Sequence, residues 1–244
     1  MAPSFSEPHH LPKLRSGRDP ADPYQLPRQR RGLTPQMHGR YPDFDVLGEA
    51  AHWDEETRRV VMGRVEQVPE RRFFSEPEFA TLGTFCDDVM AQDSDPRIPV
   101  LSYVDEKLDQ GKLDGYQYAT MPDDRDTWRL VARGLDEAVQ LAGHDSYAVA
   151  PEELREQTID AFAEGKLAGG AWEELDTKRA FSVLMRAILS AFYAHPWAWN
   201  EIGFGGPAYP RGYARMGVGH SEAWEGQEAL DVDPVPDVKE RGLE

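Results

Sequence analysis

The stretch "DTKRAFSVLMRAILSAFYAHP", residues 176–196, carries the reading of the fold. Phe181, Val183, Leu184, Met185, Ile188, Leu189, Phe192 and Tyr193 recur at intervals that fit a helix and no alternating strand. Apolar side chains on almost every side predict a helix buried all round, the central element of its domain. Only Ser182, Arg186 and Ser190 interrupt, and their spacing places them in one narrow polar strip. Pro196, which has no amide proton to donate, is expected to end the helix.

The chain upstream follows the same pattern. In "SEPEF", residues 75–79, Ser75 is a helix N-cap, Glu78 its capping-box partner, and Pro77 is tolerated in the first turn. Phe79, Leu82, Phe85, Cys86, Val89 and Met90 follow at helical spacing. Pro96 and Pro99 break the chain before Val100, Leu101, Val104 and Leu108 mark a helix ending near Gly111. A further helix spans about Asp126 to Ala142, with Trp128, Val131, Leu135, Ala138 and Val139 inward and Gly143 as its stop. Another opens at "APEELREQ", residues 150–157, carries Leu154, Ile159 and Phe162 inward, and ends near Gly165. A short helix is expected over 54–65. No alternating run is long enough for a sheet. The expected fold is all-α, a compact helical domain of about five to six helices over residues 43–217.

The chain has 244 residues, 40% of them hydrophobic, enough for one core with long tails. Its net charge of −17 repels phosphate backbones and anionic lipid, so neither nucleic acid nor a membrane surface is an expected partner. Residues 1–40 nevertheless hold seven Lys/Arg against three acids, and residues 218–244 hold eight acids against two bases. Eight prolines and few clustered apolar side chains make residues 1–42 an expected basic arm, disordered or extended. Residues 218–244 read as an acidic tail. A single cysteine, Cys86, excludes an internal disulfide and multi-cysteine metal sites, and its apolar neighbours predict a buried thiol. No apolar run could span a bilayer. Arg30-Arg31 superficially suggests a twin-arginine leader, but the following "GLTPQMHGRYPDF" is polar and broken by proline, so no signal peptide is expected.

The chemistry concentrates in "AHPWAWNEIGFGGPAYPRGYARMG", residues 194–217. Gly203, Gly205 and Ala208 satisfy G-x-G-x-x-A, but the dinucleotide motif needs a strand before and a helix after, and Pro207 and Pro210 deny the helix. His195 and Glu201 could be an acid–base pair, yet one His and one carboxylate are no metal set. A histidine at a helix C-terminus more often bonds the last carbonyls. Two readings remain and are compatible: a rigid recognition loop, since prolines and glycines preorganise the backbone and Trp, Tyr and Arg dominate interface hot spots, and a structural cap in which Trp197, Trp199 and Phe204 cover the buried helix.

"HPWAWNEIGFGGPAYPRGY", the "SEPEFATLGTFCDDVM" helix with Phe74 before it, and the helices between them resemble the gluconate 2-dehydrogenase subunit 3 family over about residues 72–217. The most specific part is "WNEIGFGGPAYPRGY", residues 199–213. The resemblance implies a non-catalytic small subunit that supports maturation, stability or export of a large flavoprotein of the glucose–methanol–choline type. Such flavoproteins oxidise sugars, polyols or aldonic acids and often pass electrons to a cytochrome c subunit. It implies no cofactor or metal in this chain and FAD in the partner. With no signal expected, the chain would be cytoplasmic, or exported only with a signal-bearing partner. On this basis Trp197, Trp199, Asn200, Glu201, Phe204, Tyr209, Arg211 and Tyr213 are the expected partner-binding residues. Within that set Trp197, Trp199 and Phe204 are expected to anchor the loop, while Arg211 and Tyr213 reach the large subunit. Arg186, His195, Gly203, Gly205 and Gly206 are expected to support the loop, Arg186 through a buried pair with Glu201. A stand-alone enzyme using His195 and Glu201, and a free-standing helical scaffold, are the alternatives.

Overall fold

The computed structural model describes residues 41, 44–92, 95–113, 117–210, 212–213 and 222–226. The expected arm, apart from Tyr41, and most of the expected acidic tail lie outside the described residues. In chain order the helices are α1 (Glu55–Glu66), α2 (Glu76–Val89), α3 (Val100–Asp109), α4 (Asp124–Gln140), α5 (Glu152–Ala163), α6 (Thr177–Tyr193) and α7 (Pro196–Ile202). Short 3-10 turns occupy Val46–His52, Tyr147–Val149 and Gly170–Glu174. No strand occurs among the described residues, so the chain is all-α. Where one domain was expected over 43–217, the described residues group into two compact units. The helical unit covers the described parts of 67–93 and 97–194, and the small unit those of 1–66, 94–96 and 195–244.

In the helical unit the starts are set by side chains. Glu78 Oε2 accepts from the Ser75 N–H at 2.8 Å and from its hydroxyl at 2.7 Å, closing the capping box of α2. Asp123 accepts from the Asp126 N–H at 3.0 Å, which starts α4 two residues before the expected point. Asp176 does the same for α6, accepting from the Arg179 N–H at 3.1 Å. Each cap satisfies an amide that no preceding turn can reach, worth about 1 kcal/mol.

The core of this unit is built on Leu82, Phe85, Val104, Trp128, Val131, Leu135, Tyr147, Phe162, Leu184, Ile188 and Phe192, all buried. Phe162 of α5 sits at its aromatic centre, with ring centroids 4.9 Å from Trp172, 5.2 Å from Phe181 and 5.9 Å from Phe85. α6 is not buried all round. Ala180, Val183, Leu184, Ile188 and Phe192 face inward, but Leu189 and Tyr193 are 40% and 42% exposed beside Ser182, Arg186 and Ser190. The polar strip is therefore wider than the spacing of its three polar residues implies.

Buried charge in this unit is satisfied in place. Asp88 of α2 accepts from Arg155 Nε at 2.8 Å, from Arg155 Nη2 at 3.0 Å and from the Tyr147 hydroxyl at 2.9 Å. Burial, then the Asp88 charge, pushes the Tyr147 phenol far above its usual pKa, so it stays a donor. Cys86 is buried as expected, and burial likewise raises its thiol pKa, which leaves it unreactive.

Gly134 tests the packing of α4. A Cβ there would stand 2.5 Å from Trp172 Cε2, and the indole cannot retreat because its N–H donates to the Gly134 carbonyl at 3.2 Å. Helix propensity alone favours Gly134→Ala by about 1 kcal/mol. Overpacking costs roughly 1–3 kcal/mol and offsets that gain, so urea unfolding should show a net loss of up to about 2 kcal/mol. A stabilised Gly134→Ala chain would contradict this packing.

Candidate functional site

The loop expected from Pro196 onward begins as a helix. His195 takes extended backbone angles, its Nδ1 accepts from the Trp197 N–H at 3.2 Å, and Pro196 occupies the first helical position of α7. Proline suits that position because its missing amide proton would have no partner there. His195 thus caps the start of α7; the expected bond to the closing carbonyls of α6 is corrected. Nδ1 accepts, so Nε2 carries the proton and donates to the Arg64 carbonyl at 3.0 Å, within the small unit. Burial pushes the imidazole pKa down to about 4, offset in part by the Arg64 carbonyl. Both ring nitrogens are engaged in structure, and the ring is neutral at pH 7.

α7 carries Trp199 into the core of the small unit with Val46, Trp53 and Val61, while Phe44, Leu47 and Ala50 pack against its edge. Arg64 lies 6.0 Å from the centroid of the Trp199 ring, and Phe204 meets that ring edge-on at 5.5 Å. Asn200 is fully buried. Its Oδ1 accepts from the Val46 N–H at 2.7 Å and its Nδ2 donates to Asp45 Oδ1 at 3.3 Å. Asp45 Oδ1 in turn accepts from the Leu47 N–H at 3.1 Å, capping the 3-10 turn Val46–His52.

Gly203 closes α7 in the left-handed conformation, φ +67°, and the Phe204 N–H returns to the Trp199 carbonyl at 2.9 Å. A Cβ on Gly203 would also meet the Tyr41 ring at 2.6 Å. Gly206, φ +75°, lies against Val46 and Trp53. Gly205 needs no positive φ; it needs room, because a Cβ would stand 2.6 Å from the Trp224 ring and 2.9 Å from its carbonyl oxygen. Residues 222–226 of the expected tail are therefore packed here. Glu222 is buried and the Gly226 N–H donates to the Gly203 carbonyl at 3.1 Å.

The two faces of this segment sort the expected residues differently from the sequence reading. Trp199, Asn200 and Glu201 are buried in the small unit. Trp197 is half-buried, its ring 4.8 Å from that of His195. Phe204, expected to be an inward anchor, is 38% exposed, and Ile202, Tyr209 and Tyr213 are 50%, 67% and 47% exposed. Tyr213 leans on Trp224 with ring centroids 6.3 Å apart. Arg211 lies outside the described residues. Arg186 is exposed in the helical unit, and Glu201 is buried in the small unit. Among the described residues, no three His, Cys, Asp or Glu side chains gather as a metal set, and no helix is long and apolar enough to cross a membrane.

This capped, glycine-locked aromatic turn closing a set of amphipathic helices belongs to a known family. The pattern of gluconate 2-dehydrogenase subunit 3 matches residues 76–206, more than half of the chain, and the protein belongs to that family. The match runs from the first turn of α2 through Gly206 and stops before Tyr209 and Tyr213. No curated protein and no solved structure matches the chain.

Two measurements test the anchors. Trp199→Ala should cost roughly 3–5 kcal/mol of stability, whereas Tyr209→Ala should leave the melting temperature within experimental error. For His195 the folded pKa lies below the ordinary 6.5, so stability is fully present above about pH 6.5. It falls as the unfolded chain takes up a proton, by roughly 3 kcal/mol in all by pH 4. The stability difference between the natural chain and His195→Asn should shrink over that range. A constant difference would contradict the buried neutral imidazole.

Proposed function

We propose that this protein is a non-catalytic accessory subunit that binds a large FAD-dependent dehydrogenase of sugars, polyols or aldonic acids through the exposed face of residues 202–213. The supporting observation is the division of one short segment into two faces. Trp199, Asn200 and the glycines fix its backbone, and Ile202, Phe204, Tyr209 and Tyr213 stand in solvent on that fixed backbone. Preorganised aromatics lose little conformational entropy on binding and can each contribute heavily to affinity. The segment 202–213 contains no acid in a chain of net charge −17, so an interface here avoids burying carboxylates.

On this reading the flavin and the chemistry reside in the large subunit, and a cytochrome c subunit completes the electron path in complexes that have one. The small chain supports maturation, stability or export of its partner, travelling with it when the partner carries the export signal. Both ring nitrogens of His195 are engaged within the small unit, which favours the accessory reading over an independent acid–base enzyme.

Co-expression with the large flavoprotein subunit tests the reading. Tyr209→Ala and Tyr213→Ala should leave the chain folded and weaken co-purification, by about 2 kcal/mol or more each if they are hot spots. Stoichiometric flavin or sugar oxidation in the isolated small chain, or undiminished co-purification of the double variant, would contradict it.

A further inference from the structure

Tyr41 ties the end of the proline-rich arm to the aromatic face. A Cβ on Gly203 would stand 2.6 Å from the Tyr41 ring, and one on Gly226 would stand 2.8 Å from it. The Gly226 N–H donates to the Gly203 carbonyl at 3.1 Å, so the ring is wedged where these two glycines meet. The chain that precedes Tyr41 is therefore tethered beside the first residues of 202–213. The face is continuous at that point. Trp224 fills the room left by Gly205, and Tyr213 leans on its indole with ring centroids 6.3 Å apart. Phe204 adjoins Gly205 in sequence and meets Trp199 edge-on. Ile202, Phe204, Tyr209 and Tyr213 are all exposed. Contiguous apolar surface of this kind marks a place that something covers.

The arm has the chemistry to cover it. Residues 20–35, "PADPYQLPRQRRGLTP", hold four prolines together with Tyr24, Leu26 and Leu33. Pro20 and Pro23 are three apart, the spacing that puts both rings on one edge of a polyproline helix, and aromatic surfaces bind proline-rich chains in that form. Prolines also restrict the unbound segment, so little entropy is lost on docking. The segment carries Arg28, Arg30 and Arg31 against Asp22, whereas the rim of the face is acidic at Gly205, where Glu225 Cγ would stand 3.3 Å from a Cβ. Reach is ample, because the six steps from Pro35 to Tyr41 span up to about 20 Å of extended chain. A short tether gives an effective concentration on the order of millimolar, enough to occupy a surface for which the intrinsic affinity is weak.

We propose that residues 20–35 of this chain lie across Ile202, Phe204, Tyr209 and Tyr213 in the free protein and are displaced when the large subunit binds. The arm then shields the aromatic face of a subunit that has no partner, and it sets a threshold that only a tighter-binding surface passes. The displacement, though not the contact, rests on the aromatic face being where the large subunit binds.

A photo-crosslinking residue in place of Tyr24 in the full chain tests the contact. Irradiation without any partner at about 1 μM leaves tethered contacts intact and removes those between copies. Peptide mapping should find position 24 joined within one chain to residues 202–213, and the same residue in place of Phe5 should give no such adduct. Pro20→Ala with Pro23→Ala and Pro27→Ala, or Tyr209→Ser with Tyr213→Ser, should lower the yield about threefold or more, as the loss of two ring contacts implies. The melting temperature should not change, since none of these side chains is in the packed core. Adducts only elsewhere in the chain, adducts only between two copies, equal yield from position 5, or a yield indifferent to both sets of substitutions would overturn the proposal. Purified large flavoprotein subunit should suppress the adduct as it binds. If it binds and the adduct persists, the contact stands, while the displacement and the role of this face in holding the large subunit fall together.

Discussion

The small unit rests on the attachment of Trp199 and Asn200 to a segment of chain some 150 residues earlier. Asn200 Oδ1 meets the Val46 N–H across a sequence separation of 154 residues. Closing an unstructured connection of that length costs about 4 kcal/mol, and one hydrogen bond returns only about 1 kcal/mol. The energy must come from packing, which the burial of Trp199, Trp53, Val46 and Val61 supplies. The amide then sets the register. If it is unmade, a buried N–H and a buried carbonyl are left without partners, so neighbouring registers of α7 on the 3-10 turn are disfavoured.

Everything presented to solvent by residues 202–213 follows from that attachment. Gly203 turns the chain where Tyr41 leaves no room for a side chain, Gly206 fits under Val46 and Trp53, and Gly205 admits Trp224. With one side of the segment occupied in this way, Phe204, Tyr209 and Tyr213 are left on the other. The family match begins at residue 76, whereas Val46, Trp53 and Val61 precede it. In this chain, therefore, the end of the family segment is held by residues outside the segment that matches.

Much of the helical unit was legible because its signals are local. Ser75 with Glu78, the inward spacing on α2 to α5 and the glycines after α4 and α5 act within a few residues, and the structure keeps them. Cys86 was legible for the same reason. The faces of α6 were not, since exposure of Leu189 and Tyr193 depends on which neighbours reach the end of the helix. His195-Pro196 was open to two readings, because a proline after a helix can stop it or start the next one. A cap-forming residue directly before proline was the available sign of α7. The division between Trp199 and Phe204 lay beyond local pattern: both are aromatic, and only Asn200 and the glycines decide which one turns inward. Gly205 shows the same limit, since its requirement is set by Trp224, distant in sequence.

A photo-crosslinking residue in place of Tyr209 gives the most direct measurement, made in cells that co-express the large flavoprotein subunit. The account predicts a covalent adduct between the two subunits from position 209, and none from the same residue placed at Leu141, which is exposed on the helical unit. An adduct from position 141 with none from 209 would contradict the claim that the glycine-locked aromatic face is where the partner binds.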